Sequence, residues 1–260
     1  MAEFIATPDE NATYAIELED VTLQFGEDQP VLEGCNLRIP KGETKVILGR
    51  SGAGKSTILK LALGLLRPTK GTVKALGVDI TNLGERNLRD IRHHMGIVFQ
   101  GGALFDSLTV AQNVGFCMLE NHHMSMAEVE PAIRSRLEYV ELEGAYNLMP
   151  SELSGGMKKR AAIARAVMCE PQVMLYDEAT SGLDPIATRR MNRLINRLRD
   201  DLHVTSVVVT HILEDAAAVA DSVAMLRHGK IIFDGTPEEI RNCPDPFVQE
   251  FISGKEKENE

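Results

Sequence analysis

Polar and apolar positions alternate along residues 15–25 and again along 31–39, the period-two pattern of strands with one buried face. The short apolar run Lys45-Val46-Ile47-Leu48 leads into a glycine-rich turn, as a buried strand does. A helix is predicted over 56–66 and another strand over 96–99. From about residue 101 to 167 the texture turns helical. Across 126–142, Val129, Ile133, Leu137 and Val140 recur near one face, and the Ala- and Arg-rich stretch 158–167 is also helical. Strand texture returns at 173–176 and 206–209. Residues 223–226 and 230–233, joined through His228-Gly229, predict a hairpin. Alternating strands and helices predict a parallel sheet with helices on its faces, interrupted by a mostly helical block. Residues 242–260 form a short extension with Pro244, Pro246 and a charged tip.

Composition narrows the class. With 260 residues, 43% hydrophobic and 25% charged, the chain has enough apolar mass for a substantial core, which excludes bulk disorder. Its 28 Lys+Arg against 38 Asp+Glu give a net charge of −10, which disfavours nucleic acid as a partner. The first 30 residues hold eight acidic side chains and no Lys or Arg, the pattern of a solvated edge. No apolar run approaches the roughly 18 residues of a membrane span. The opening Met1-Ala2-Glu3-Phe4 has neither the basic nor the apolar segment of a secretory leader. Cys35, Cys117, Cys169 and Cys243 are scattered without a C-x-x-C pair, so neither structural zinc nor a disulfide framework is expected, and a reducing compartment fits.

The strongest chemical signal is Gly49-Arg50-Ser51-Gly52-Ala53-Gly54-Lys55-Ser56, followed by Thr57. It matches G-x-x-x-x-G-K-[ST] and lies between a predicted strand and a predicted helix, the setting this phosphate-binding loop requires. A chance match in such a chain is on the order of 1% from average composition. The glycines let backbone N–H groups turn toward an anion, and the helix start adds its positive dipole end. Lys55 suits β- and γ-phosphates and Ser56 suits Mg²⁺. Such a loop calls for a carboxylate at the end of a neighbouring buried strand. Val173-Met174-Leu175-Tyr176-Asp177-Glu178 supplies two, Asp177 for Mg²⁺ through its water shell and Glu178 to polarise the attacking water. Adjacent carboxylates at a strand end also serve as helix caps or surface ion pairs, which stays open on these residues alone.

Between these motifs stands Leu153-Ser154-Gly155-Gly156-Met157. With the phosphate-binding loop before it and the Asp-Glu pair after it, the chain resembles the ATP-binding subunits of ABC transporters over nearly its whole length. The resemblance implies a P-loop NTPase fold of the RecA-like α/β class. It has a mixed sheet core, an N-terminal antiparallel β subdomain and an inserted helical subdomain. The domain would cover 14–253, with the catalytic core at 14–99 and 169–240, the helical part at 100–168 and a C-terminal extension at 241–260. Position by position, Phe25 resembles the aromatic that stacks on adenine, where Tyr is usual. Gln100 resembles the Q-loop glutamine that contacts Mg²⁺ or the attacking water. Ser154, Gly155 and Gly156 resemble the signature that binds a γ-phosphate. Asp184, in Ser181-Gly182-Leu183-Asp184, resembles the D-loop, though such a turn also caps a helix. His211 resembles the switch histidine. Two positions depart from the pattern: Ala179 stands where Pro is common, and Ile212 where Asp often follows. Neither removes a catalytic group.

Shorter stretches refine the resemblance. These are Met157-Lys158-Lys159-Arg160 after the signature, residues 101–110 after Gln100, Met149-Pro150-Ser151-Glu152 before the signature, and Asp245-Pro246-Phe247-Val248-Gln249-Glu250-Phe251. They are similar to the Mla-type (MlaF/Mkl) subunits that power phospholipid transport with MCE-domain proteins. The resemblance implies a head-to-tail dimer with two sandwiched ATP molecules. Lys55, Ser56, Gln100, Asp177, Glu178 and His211 would come from one chain, Ser154 and Gly156 from the other. The implied partners are a second copy, an integral-membrane permease and an MCE-domain protein, at the cytoplasmic face of the inner membrane. Residues 101–105 form a candidate docking lip for the permease or, alternatively, a buried hinge. Phe247, Val248, Phe251 and Ile252 share one helical face and pack either on their own domain or, as the resemblance favours, on the neighbouring subunit. A transporter for a non-lipid solute shares every catalytic residue. A soluble ABC ATPase acting on ribosomes or DNA usually carries two ATPase domains or a long coiled coil, and this chain has neither.

Overall fold

The computed structural model describes residues 7–26, 28–121 and 124–254. The Met1–Phe4 opening, the carboxylates of Glu3 and Glu27 and the charged tip after Gly254 lie outside the described residues. In chain order the elements are β1 (Tyr14–Leu23), β2 (Leu32–Pro40), β3 (Thr44–Leu48), α1 (Lys55–Ala62), β4 (Lys70–Ala75), β5 (Val78–Asp79), α2 (Glu85–Arg92), β6 (Met95–Val98), α3 (Val110–Asn121) and α4 (Met126–Tyr139). There follow α5 (Gly155–Ala166), β7 (Val173–Asp177), α6 (Pro185–Leu202), β8 (Thr205–Thr210), α7 (Leu213–Val219), β9 (Ser222–Arg227), β10 (Lys230–Gly235), α8 (Pro237–Arg241) and α9 (Pro246–Ser253).

The strands form two sheets. One is antiparallel, in the order β2-β1-β4-β5; the other runs β10-β9-β3-β8-β7-β6 and is parallel except for its β10 edge. Both faces of the larger sheet are covered, so β3 and β8 are buried along their whole length. Period-two geometry then divides each strand between two cores. Val46 and Leu48 join Met174, Tyr176 and Val208 in the core shared with α3, α4 and α5. Ile47 joins Leu175, Val207 and Val209 in the core shared with α1 and the antiparallel sheet. The expected α/β class and the helical run between β6 and β7 are both present.

Local chemistry sets several boundaries. Helix α1 stops at Ala62, short of the expected residue 66. Gly64 takes φ +63°, its N–H reaches Leu61 O at 2.9 Å, and Leu65 N–H reaches Lys60 O at 2.9 Å. This is the Schellman stop that a glycine after a helix favours. The hairpin turns through His228 and Gly229, both at positive φ, as the tight turn matched to strand twist requires. Helix α4 opens on Ser125, whose N–H donates to Glu128 Oε2 at 2.8 Å, and buries Val129, Ile133 and Leu137 as its periodicity predicted.

One expectation needs correction. Cys117 on α3 and Cys169, just past α5, are paired as a disulfide, with Cα atoms 6.8 Å apart. Packing of α3 against α5 and the turn after it juxtaposes residues 52 apart in sequence, which no local spacing rule foresees. Of the two placements open to α9, packing on its own domain is present: Val248 is fully buried and Phe247 nearly so, in the core that also holds Val223 and Met225 of β9, while Phe251 and Ile252 stay partly exposed.

Candidate active site

The phosphate-binding loop begins where β3 ends. Gly49 lies so close to the end of β9 that a Cβ there would stand 2.5 Å from Leu226 O, so only glycine fits. Gly54 enters α1 at φ +104°, and its carbonyl accepts from Thr57 N–H at 3.1 Å and Ile58 N–H at 3.2 Å. Helix geometry leaves the first-turn amides at Lys55 and Ser56 without carbonyl partners inside α1. Ser51 and Gly52 are open to solvent, and Ala53 is half-buried. Lys55 is buried. Its Nζ donates to Gly49 O at 2.9 Å and Arg50 O at 3.1 Å, and lies 3.8 Å from Glu178 Oε1. Burial lowers its pKa; the nearby carboxylates of Glu178 and Asp177 oppose that shift. An ammonium desolvated and aimed into a glycine loop is prepared for an anion.

Strand β7 delivers both carboxylates to this loop. Ser56 Oγ donates to Asp177 Oδ1 at 2.7 Å. A hydroxyl beside a carboxylate is an all-oxygen donor set suited to Mg²⁺ with its water shell. Glu178 sits at φ +50°, a strained conformation for a residue with a side chain, in the region where functional sites concentrate such strain. Its Oε2 accepts from Gln100 Nε2 at 3.3 Å, and its Oε1 lies 3.2 Å from His211 Nδ1. Gln100 follows β6 and His211 follows β8, the two strands flanking β7. Parallel pairing therefore brings three residues far apart in sequence to one end of the sheet. That is the crevice where open α/β sheets bind ligands.

The remaining sequence-predicted residues fall into two groups. Phe25 is half exposed in the turn after β1, which closes through Val31 N–H to Leu23 O at 2.8 Å. The carbonyl of Val31 lies 3.0 Å from where a Gly54 Cβ would stand, so this turn borders the phosphate-binding loop. Ser154, Gly155, Gly156 and Asp184 lie elsewhere, together lining a recess of about 500 Å³ between the start of α5 and the start of α6. No residue of the phosphate-binding loop lines it. Ser154 caps α5 by accepting from Met157 N–H at 3.3 Å. Asp184 caps α6, its Oδ1 accepting from Ile186 N–H at 2.8 Å and Ala187 N–H at 2.9 Å, so the helix-capping use anticipated for this turn is realised.

Residues 32–181 match the protein family described as ABC transporter. This chain belongs to the ABC transporter ATP-binding family. Among its relatives, the intermembrane phospholipid transport ATP-binding protein MlaF of Haemophilus influenzae is 39% identical over 92% of this chain and 90% of its own. The probable ribonucleotide transport ATP-binding protein Mkl of Mycobacterium leprae is 37% identical over 93% of this chain and 69% of its own. A solved dimeric ATP-binding cassette in a post-hydrolysis state, bound to ADP and Pi, superposes with TM-score 0.79 at 32% identity, covering 85% of this chain and 98% of that one. CbiO1 of Clostridium perfringens, part of the ABC transporter complex CbiONQ, gives TM-score 0.82 at 28% identity over 93% and 96%. The chain is therefore an ABC ATPase, with the RecA-like fold and ATP chemistry of its family. No helix among its described residues is long and apolar enough to cross a membrane.

This ABC ATPase also holds polar residues that fix the segments around the candidate site and that the sequence did not single out. Lys159, on the signature helix α5, is buried, and its Nζ donates to Ser181 O and to Glu178 O, the latter at 3.5 Å. It thus ties the signature helix to the segment carrying Glu178. Burial lowers its pKa, opposed by the charges of Glu178 and Asp215. Asp215, almost fully buried, accepts from Thr180 Oγ1 and, at 3.0 Å, from Asn192 Nδ2, which fixes the same segment from the other side. Asn113 is fully buried on α3. Its Nδ2 faces the carbonyls of Phe105, Leu108 and Thr109 at 3.0–3.1 Å, and its Oδ1 accepts from Phe105 N–H at 2.7 Å. Arg165 on α5 donates to Ala103 O at 2.7 Å and Gly102 O at 3.1 Å. Together they shape the segment that follows Gln100. For Asn113 and Arg165 the available signal was a polar side chain set among mostly apolar ones within a helix; Lys159 and Asp215, each beside other charged residues, carried none.

Proposed function

We propose that this ABC ATPase works as a head-to-tail dimer that drives phospholipid transport through an integral-membrane permease. One observation supports the dimer. The phosphate-binding loop gathers Asp177, Glu178, Gln100 and His211, while Ser154, Gly155, Gly156 and Asp184 line a separate recess, which a second copy turned head to tail would bring over the first nucleotide. Within each site the amides of Gly49–Thr57 cradle the phosphates, Lys55 meets the β- and γ-phosphates, and Phe25 stacks on adenine. Ser56, Asp177 and Gln100 would hold Mg²⁺, which supplies positive charge to the phosphate oxygens. Glu178 accepts the proton of the attacking water at its carboxylate, Gln100 orients that water, and His211 contacts the γ-phosphate. Catalysis is positioning and charge stabilisation. Phosphate release ends the contacts that join the two copies.

The permease docks on the groove of about 680 Å³ beside the segment after Gln100, lined by Phe99, Phe105, Phe116, Arg89 and Arg165. Phe105 is 43% exposed and stacks on Phe116 at 4.6 Å, which favours a docking lip over a buried hinge. We expect Phe105→Glu to keep the ATPase rate of the isolated protein and lose membrane assembly; retained assembly rejects the docking role. The placement is peripheral, on the cytoplasmic face of the inner membrane, with an MCE-domain protein as further partner. The MlaF relatives support phospholipid as the substrate class. The Mkl relative, named for probable ribonucleotide transport, supports a second reading, in which the cargo is a non-lipid solute. Purification of the native complex through a tag on this chain separates them. A permease with an MCE-domain protein and bound phospholipid supports the first reading. A permease with a solute-binding protein and no enriched lipid supports the second.

A further inference from the structure

Arg50 is the second residue of the phosphate-binding loop, yet its side chain is engaged with the C-terminal helix. Its Nη2 donates to Glu250 Oε1 at 2.5 Å, and its guanidinium lies 5.3 Å from the centre of the Phe247 ring. Arg227, at the end of β9, approaches the same ring at 4.2 Å. Helix α9 is itself firmly seated. Asp245 Oδ1 accepts from Phe247 N–H at 2.8 Å and Val248 N–H at 3.1 Å, Val248 is fully buried, and Gln249 Nε2 donates to Cys243 O at 2.7 Å. The backbone of Arg50 is a pivot of the loop, because its carbonyl accepts from Lys55 Nζ at 3.1 Å and from Ala53 N–H at 3.2 Å.

We propose that α9 braces the phosphate-binding loop: Glu250 and Phe247 hold Arg50, and through it the loop backbone, in the shape that receives nucleotide phosphates. Both are positioning residues. The inference rests on the nucleotide-site reading and deepens it, since it makes the C-terminal extension part of that site. Coupling between two binding events is reciprocal, so nucleotide in the loop stabilises α9 on β9 by the factor that α9 lends to nucleotide affinity. The Arg50 and Glu250 side chains are partly exposed, so the ion pair is modest and salt-screened.

The test is calorimetric titration of the full-length chain with MgADP at low and high salt, for the wild type, Glu250→Gln, Arg50→Gln and the double variant. Glu250→Gln is expected to raise Kd about threefold at low salt and to approach the wild type at 0.5 M salt, where the pair is screened. The double variant is expected to bind no worse than the weaker single variant, because the two changes break one interaction. A merely structural loss would lower affinity equally at both salt concentrations. Truncation after Asn242, which also removes Phe247, is expected to cost more, while Glu250→Gln leaves the buried contacts of α9 intact. Unchanged Kd for Glu250→Gln at low salt, or full additivity in the double variant, overturns the brace while leaving the nucleotide site standing. Failure of the wild type to bind MgADP would instead overturn the site reading itself.

Discussion

Replacing Glu178 by glutamine separates binding from chemistry at this site. The amide has nearly the volume of the carboxylate and loses only its charge and basicity. Lys55 keeps its two carbonyl partners, at 2.9 Å on Gly49 and 3.1 Å on Arg50, so it is not stranded. Gln100, now 3.3 Å from Glu178 Oε2, can turn its amide to face the new one with donor against acceptor. His211 Nδ1, 3.2 Å from Oε1, can meet either a donor or an acceptor by choice of tautomer. The fold should therefore change by less than about 1 kcal/mol. Under the proposed role, the lost function is proton acceptance from the attacking water, a contribution of roughly 10²–10⁴-fold for a positioned general base. At 1.36 kcal/mol per tenfold, that is about 3–5 kcal/mol on the barrier. Phosphate release under ATP saturation should fall by that factor. MgATP binding should survive, and size-exclusion chromatography with ATP should show an accumulated dimer. Hydrolysis at the wild-type rate would refute the assignment of Glu178 as base, whatever the dimer does.

Other consequences follow from the packing around the site. Lys159→Met removes a buried ammonium while filling its volume. The Glu178–Ser181 segment then loses its tie to the signature helix, so kcat should fall about tenfold with nucleotide Kd nearly unchanged; a loss confined to Kd would contradict the positioning role. Gly64→Ala places a Cβ at positive φ and 2.6 Å from Leu88 Cδ2. The conformation alone costs roughly 1–2 kcal/mol, which in a chain of this size lowers Tm by about 2–8 °C; an unchanged melting curve would show that the helix stop is relaxed. Burial pushes the Cys35 thiol up to about 12. At pH 8 it stays protonated and covered, so iodoacetamide should modify it only after unfolding, whereas the partly exposed Cys243 can react in the native state; peptide mapping that finds Cys35 itself labelled in the native protein would show that β2 opens.

Much of the site was legible because its chemistry is local. Eight consecutive residues specify a loop whose backbone turns inward, and Asp177 and Glu178 end an apolar strand in plain view. The Ser154-Gly155-Gly156 segment opens a helix, as the family resemblance implied and as a serine cap allows. Residues acting through distant partners left weaker traces. Lys159 reads as one basic residue in a basic run, and only the fold shows that its ammonium is buried under Ser181 and Glu178. Asn113 reads as an interruption in a helix, until its amide is found bonded to Phe105, Leu108 and Thr109. The pairing of Cys117 with Cys169 has no local signature at all.

By itself the sequence determined the α/β class, the strands and helices with clear periodicity, and the candidate groups for phosphate and water. These follow from periodicity and backbone sterics, which act over a few residues. The tertiary structure decided which groups meet. The strand order β10-β9-β3-β8-β7-β6 places β7 between β8 and β6, so that Glu178 stands beside both His211 and Gln100. It also set Glu250 against Arg50 across 200 residues of chain. Such meetings depend on how sheets and helices stack to bury apolar surface over the whole molecule, and local pattern does not encode that sum.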